Sequence, residues 1–285
     1  MRKDIESEIE IKLEFDKNSE NPARLFRSLA KLVDSINEFD FLIASTIDST
    51  VTSKVYINDF EKGSLITKLR SALIIGDDKK LDNEDNSENI KEHIRHSRDK
   101  AFEFIAEGKS SVQDVENFVE EINESAKNKN LTESFNYAEP NLLDLAKVVN
   151  KINESTDDLT KNEFFEIKKK KDSPQIKTGN SKINIDDVEE ALTKETIEQD
   201  FEIYYKIKKP DFLGDSQWEF KHGTKTLKIK ITHSEWLDKF HLGKIIVKPG
   251  DSLKVKVNQV NSYNTNGYLL SEKKEIIEVL EIRNN

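Results

Sequence analysis

Glu92-His93-x-x-His96-x-x-Asp99 is where imidazole and carboxylate side chains gather at helical spacing in this sequence. Positions 92, 96 and 99 fall near one helix face, because residues three and four apart are neighbours on a helix. Zinc and non-haem iron both accept imidazole together with carboxylate, so a metal centre is the chemistry to weigh. Against it, the two histidines lack the His-Glu-x-x-His order that aligns two ligands and a base. No third strong ligand is identifiable elsewhere, and Lys91, Arg95 and Arg98 fill the same surface with positive charge. A solvated helix face, without metal, is the expectation.

Other catalytic patterns fare no better. The acidic clusters "GDD" (76–78) and "NEDN" (83–86) could attract Mg²⁺. Both read as loop, without the rigid support that holds one or two carboxylates beside a substrate phosphate. No Gly-x-Ser-x-Gly turn occurs, and Ser64 in "EKGS" is explained by a hairpin start. Phosphate-cradling glycine loops are absent from a chain with only 9 glycines, which argues against the common nucleotide folds. No cofactor is expected.

One constellation has a geometric rationale. In "YYKIK", "TLKIKI" and "SLKVKV", Lys206, Lys208, Lys228, Lys230, Lys254 and Lys256 alternate with apolar residues. Period-two alternation places them on the solvent side of strands. If the strands neighbour one another, six ammonium groups share one outer surface, which would suit a nucleic-acid backbone. Lysine on that side equally keeps a small sheet soluble and protects its edges, and Glu275, Glu278 and Glu281 could pair with some of it. The connecting stretch "YKIKKPDFLGDSQWEFKHG" (205–223) reads as a barrel corner with Phe212, Trp218 and Phe220 in the core, rather than as an exposed stacking platform. Pro210-Asp211 starts its turn, and Gly214 lets the backbone fold back.

These residues need elements to hold them. Of 285 residues, 35% are hydrophobic and 35% charged, well above the roughly 25% charged of ordinary globular chains. Helices with one apolar stripe and a long charged face would produce that balance, and the periodic placing of 15 Phe and 2 Trp excludes a disordered chain. The net charge of −10 is unevenly spread. Residues 201–285 hold 15 Lys+Arg and 11 Asp+Glu, leaving 30 and 44 for residues 1–200, so a basic segment of +4 follows an acidic one of −14. With 0 cysteines there is no disulfide and no thiolate chemistry. No apolar run approaches a membrane span, and Met1-Arg2-Lys3-Asp4 leads into Glu-rich sequence unlike a signal peptide. A cytoplasmic protein without membrane contact is expected.

"IESEIEIKLEF" (5–15) alternates as a strand, and a helix follows, capped at Asn18 or Asn21, with Pro22 in its first turn and a stripe from Leu25 to Ile43. "TSKVYINDF" and "SLITKLRSAL" read as a hairpin about Glu61-Lys62-Gly63, and residues 76–89 as a loop. Helices are expected over 87–107, 111–127 (capping box Ser111-x-x-Asp114) and 140–155, then a strand at 163–167. Residues 172–182 read as a linker and roughly 186–198 as a short helix. Five short strands, "FEIYYKIK", "TLKIKI", "KIIV", "SLKVKV" and "EIIEVLEI", complete the chain, interrupted by one helical turn in "SEWLDKF".

The motifs "KKPDFLGDSQWEF", "EWLDKF" and "KPGDSLKVKV", with "FEKGSLITKLR" upstream, resemble an uncharacterised bacterial protein family. The likeness covers both ends of the chain and is weaker in the middle. It implies no catalytic residue and no cofactor, and by association it implies a setting in mobile genomic regions or phage defence.

The sequence thus predicts an α+β protein. An acidic N-terminal β-α-β-β domain with further helices (1–170) is followed by a linker and short helix (171–199), then a small basic SH3-like or OB-like β-barrel (200–285). The leading functional expectation is a non-enzymatic adaptor or sensor, docking a protein partner through its N-terminal helical surface and serving as a subunit of a defence system. The alternatives are nucleic-acid binding by the barrel lysines and an enzyme of unrecognised type.

Overall fold

The computed structural model describes residues 5–16, 21–48, 52–60, 65–74, 84–169, 173–212, 214 and 216–284. The chain divides after Val188 into two units. Among the described residues of the first, β1 (Ile5–Glu14), β2 (Thr52–Phe60), β3 (Leu65–Ile74), β4 (Phe164–Ile167) and β5 (Gln175–Lys177) form an antiparallel sheet in the order β2-β3-β1-β4-β5. The alternation of β1 puts Ile9, Ile11 and Leu13 on one face, in register with Leu69 of β3 and with Ile167 and Phe165 of β4. That face is buried under helices α1 (Ala23–Ile47) and α2 (Glu84–Ala106).

The expected stripe of α1 is buried from Leu25 to Ile43, and Ala44 and Ile47 extend it. The helix caps differently from expectation: Pro22 is the N-cap and no side chain bonds there, while Asn18 lies outside the described residues. The hairpin residues Glu61–Gly63 and most of the expected loop 76–89 also lie outside them, and α2 begins at Glu84, inside that loop. α3 (Val112–Asn128) starts as read: Ser111 Oγ accepts from Asp114 N at 3.1 Å while the Asp114 carboxylate accepts from Ser111 N at 3.0 Å. α4 (Leu131–Ser134) is a single turn, and α5 (Leu142–Glu154) is capped by Asn141 rather than started by Pro140.

The segment read as a linker folds into the first unit. Its residues 175–177 are β5, paired to β4, because Ile176 finds a fully buried place opposite Phe165. Beyond Gly179, Asn150 of α5 clamps the chain, accepting from Ile183 N at 2.9 Å and donating to Ile183 O at 2.8 Å. Helix α6 (Ile185–Leu192) then spans the division. The start of α1 is tied to the strand end by Glu163, whose buried carboxylate is gripped by the Arg24 guanidinium (2.7 Å on one branch) and accepts from Thr160 N at 2.8 Å. The Arg24 hydrogen bond is the main reason that Glu163 holds a pKa of about 2.

In the second unit β6 (Glu195–Lys209), β7 (Trp218–His222), β8 (Lys225–Ile231), β9 (Ser252–Tyr263) and β10 (Leu269–Arg283) close a barrel. β6, β7 and β8 form a meander, helix α7 (Ser234–His241) follows, and the hairpin β9–β10 completes the circle. β9 pairs with β6, and β10 runs parallel to β8 at Lys230↔Glu275 and Ile231↔Ile276. A five-stranded Greek-key barrel with a helix between its third and fourth strands and a parallel third–fifth closure is the OB-like arrangement.

The five strands are not the five expected. "KIIV" (244–247) makes none: Gly243, at φ 72, ends α7, and the N–H groups of Lys244 and Ile245 both turn back to the Lys239 carbonyl. Its place is taken by Trp218–His222, where Trp218 and Phe220 point into the core. α7 plugs the barrel with Trp236, Leu237 and Phe240, and Trp218 lies 4.9 Å from Phe240 and 5.8 Å from Trp236 by ring centroids. Such aromatic pairs add about 0.5–1.5 kcal/mol each to their area burial.

Candidate nucleic-acid interface

The six alternating lysines do not share one face; β9 and β8 lie on opposite sides of the circle from β6 and β10 respectively. Lys254 and Lys256 on β9 lie between two acidic rows. Lys254 Nζ is 2.7 Å from Glu202 and Lys256 Nζ is 2.9 Å from Asp200, both on β6. On the other side, Glu281 and Glu278 of β10 are their register partners. Hydrogen bonds from these carboxylates, Glu202 first for Lys254 and Asp200 first for Lys256, raise both lysine pKa values. The expected common face therefore contracts to β6, β7 and β8.

There the lysines do collect. Lys206 stands directly opposite Lys221, and Lys228 opposite Glu219. Along Lys206–Lys209, β7 and β8, Lys206, Lys208, Lys209, Lys221, Lys228 and Lys230 face a single acid, Glu219. Lys208 bonds Glu219 at 2.8 Å, and this hydrogen bond, reinforced by the fields of Lys208, Lys209 and Lys228, lowers the Glu219 pKa. One carboxylate is thus shared among several ammonium groups, and the sheet surface keeps a positive excess.

The corner between β6 and β7 settles the role of its aromatics. Asp211 organises the turn, accepting from Gly214 N at 3.2 Å and from Ser216 N at 3.0 Å. A Cβ on Gly214 would come within 3.3 Å of the Asp211 carboxylate, which is why a side chain is disfavoured there. Trp218 and Phe220 are core, as read, but Phe212 is 60% exposed and stacks on Phe240 with its outer face open. The β9–β10 turn carries a second open aromatic, Tyr268, 70% exposed. In OB-like barrels the second and third strands, with these two loops, are the surface that takes extended polymers.

The helical cluster resolves differently. Among the described residues no group of three or more His, Asp or Glu is placed to hold a metal ion. His93 is fully buried, with Nδ1 3.0 Å from Ser125 Oγ of α3, while Nε2 has no hydrogen-bond partner among the described residues. This serine–histidine contact is a poor nucleophile–base pair: no carboxylate orients the ring, and burial first, then His96 and Lys129, drive the His93 pKa down to about 4. Sequence reasoning missed a larger polar feature. Asp40 of α1, Arg98 of α2 and Ser71 of β3 meet in the core, Arg98 and Ser71 bonding Asp40 Oδ2 at 2.6 and 2.5 Å. The signal was present, since Asp40 falls on the buried stripe between Ile36 and Ile43.

No family model, curated protein or solved structure matches this chain. Among the described residues no helix is long and apolar enough to cross a membrane.

Proposed function

We propose that this is a binding protein whose barrel takes single-stranded nucleic acid across the outer face of β6, β7 and β8. The supporting observation is the run of six lysines around one glutamate on that face. Ammonium groups on neighbouring strands match a phosphate backbone, and the open rings of Phe212 and Tyr268 offer sequence-tolerant stacking for bases. Phage defence, the setting that the family resemblance implies, would make the bound strand foreign nucleic acid.

The test is fluorescence anisotropy of labelled single-stranded DNA and RNA with the full chain over a salt series. Affinity should fall with salt, since each neutralised phosphate contributes about 0.7 to the slope for single strands. Lys221→Glu and Lys228→Glu should weaken binding and reduce that slope by about 1 each. Lys256→Gln, in the compensated row, should change little. Salt-independent binding, or none at low salt, would defeat the reading.

A groove of about 450 Å³ between α1 and α5, lined by Phe41, Leu42, Val148 and Ile185, supports a second reading: the docking of an amphipathic helix from a protein partner. A nuclease-resistant partner recovered by pull-down and lost with Phe41→Glu would favour it.

A further inference from the structure

β6 is longer than the barrel needs. On one side it pairs with β9 continuously from Glu195 to Lys206; on the other it pairs with β7 only from Lys206 to Lys209. Among the described residues, Glu195–Tyr205 has neither a strand nor a backbone hydrogen bond along that second side. An open row of N–H and C=O groups is a template for another strand. Residues 195–200 are all exposed, Ile197 by 45%.

The side chains specify what would add. Glu198, Asp200 and Glu202 stand on one face of the strand, and Ile197, Phe201 and Ile203 on the other. β9 shows the complement from the paired side. Its Lys256 and Asn258 oppose Glu202 and Asp200, and its Val255 and Val257 oppose Ile203 and Phe201. Lys254 and Lys256 have acids on both sides, since Glu278 and Glu281 of β10 are also their neighbours, so the three-stranded face keeps an acidic surplus.

We propose that the open edge of β6, Glu195–Ile203, is a strand-addition site for an extended protein segment in which Lys or Arg alternates with aliphatic residues. The basic side chains lie over Glu198, Asp200 and Glu202, and the aliphatic ones continue the row of Ile197, Phe201 and Ile203. A second copy of this chain is the wrong occupant, because self-pairing sets carboxylates opposite carboxylates. Nucleic acid is repelled by the same row, so this site is separate from the lysine face. The acids therefore both protect the edge from self-association and select its partner.

The test uses the full chain and a labelled nonapeptide of alternating Lys and Val. Two controls accompany it: a scrambled peptide of the same composition, and an alternating one with backbone N-methylation. The alternating peptide should bind at least about tenfold more tightly than either control. Glu198→Lys/Glu202→Lys should lose it and gain an alternating Glu–Val peptide, with unchanged tryptophan fluorescence reporting an intact barrel. Lys221→Glu/Lys228→Glu should leave peptide binding unchanged, which separates this site from the nucleic-acid reading. Equal binding of the scrambled or N-methylated peptide, no binding at all, or concentration-dependent dimerisation through this edge would each overturn the proposal.

Discussion

The buried pair Asp40–Arg98 gives a sharp stability prediction. Their side chains are 0% and 1% exposed, 2.6 Å apart, and Asp40 Oδ1 has no hydrogen-bond partner among the described residues. Burial raises the Asp40 pKa, against the opposing effects of Arg98 and Ser71. A carboxyl with a raised folded-state pKa weighs against folding once the pH exceeds its ordinary range, and Arg98 offsets that penalty. Arg98→Met leaves the carboxylate alone in the core and should cost about 3–5 kcal/mol. At a slope of about 2 kcal/mol/M, the urea midpoint should fall by roughly 2 M. The deficit should narrow as the pH is lowered from neutral towards the ordinary carboxylate range, because Asp40 then folds protonated. Asp40→Leu/Arg98→Met, which removes both charges, should recover most of the loss. The two units can be followed separately in the intact chain. Far-ultraviolet circular dichroism is dominated by α1–α5 of the first unit, whereas both tryptophans, Trp218 and Trp236, lie in the barrel. The dichroism transition should move and the fluorescence transition should not. A loss below about 1 kcal/mol for Arg98→Met, or a double variant as unstable as the two single losses added together, would refute the reasoning.

Four further outcomes are expected. His93 has a folded pKa of about 4 against an ordinary 6.5, so it binds its proton in the unfolded chain first; stability should fall by up to about 3 kcal/mol as the pH drops from 6.5 to 4, and His93→Gln should flatten that limb in urea titrations. Glu163, lowered to about 2, contributes stability above its ordinary 4.5 that is lost towards pH 2; Glu163→Gln should reduce the acid sensitivity in that window. Trp218→Ala should cost the barrel about 3–5 kcal/mol by the remaining Trp236 fluorescence, leaving the helical transition in place. Ser111→Ala removes an N-cap and should cost about 1 kcal/mol, seen as faster amide exchange in the first turn of α3.

Periodicity carried the first unit. The stripes of α1, α3 and α5 and the alternation of β1 are local patterns, and burial followed them because each element has one face to hide. The errors arose where a local pattern admits two outcomes. "QIK" looks like linker until β4 offers Ile176 a buried neighbour, and "KIIV" looks like strand until Gly243 turns its first N–H groups back onto α7.

The candidate site shows the same division more sharply. Alternation alone determined that Lys206, Lys208, Lys228, Lys230, Lys254 and Lys256 stand on the outside of strands, since side-chain direction along a strand depends only on parity. Which of them share a surface depends on strand order and register, and these are non-local. Closure of the barrel placed β9 between the acids of β6 and β10, which compensated Lys254 and Lys256, and left the other four beside Lys209 and Lys221 around Glu219. The open edge of β6 was equally invisible in one dimension, because a strand shows its length in the sequence but shows its missing neighbour only once every other strand has been paired.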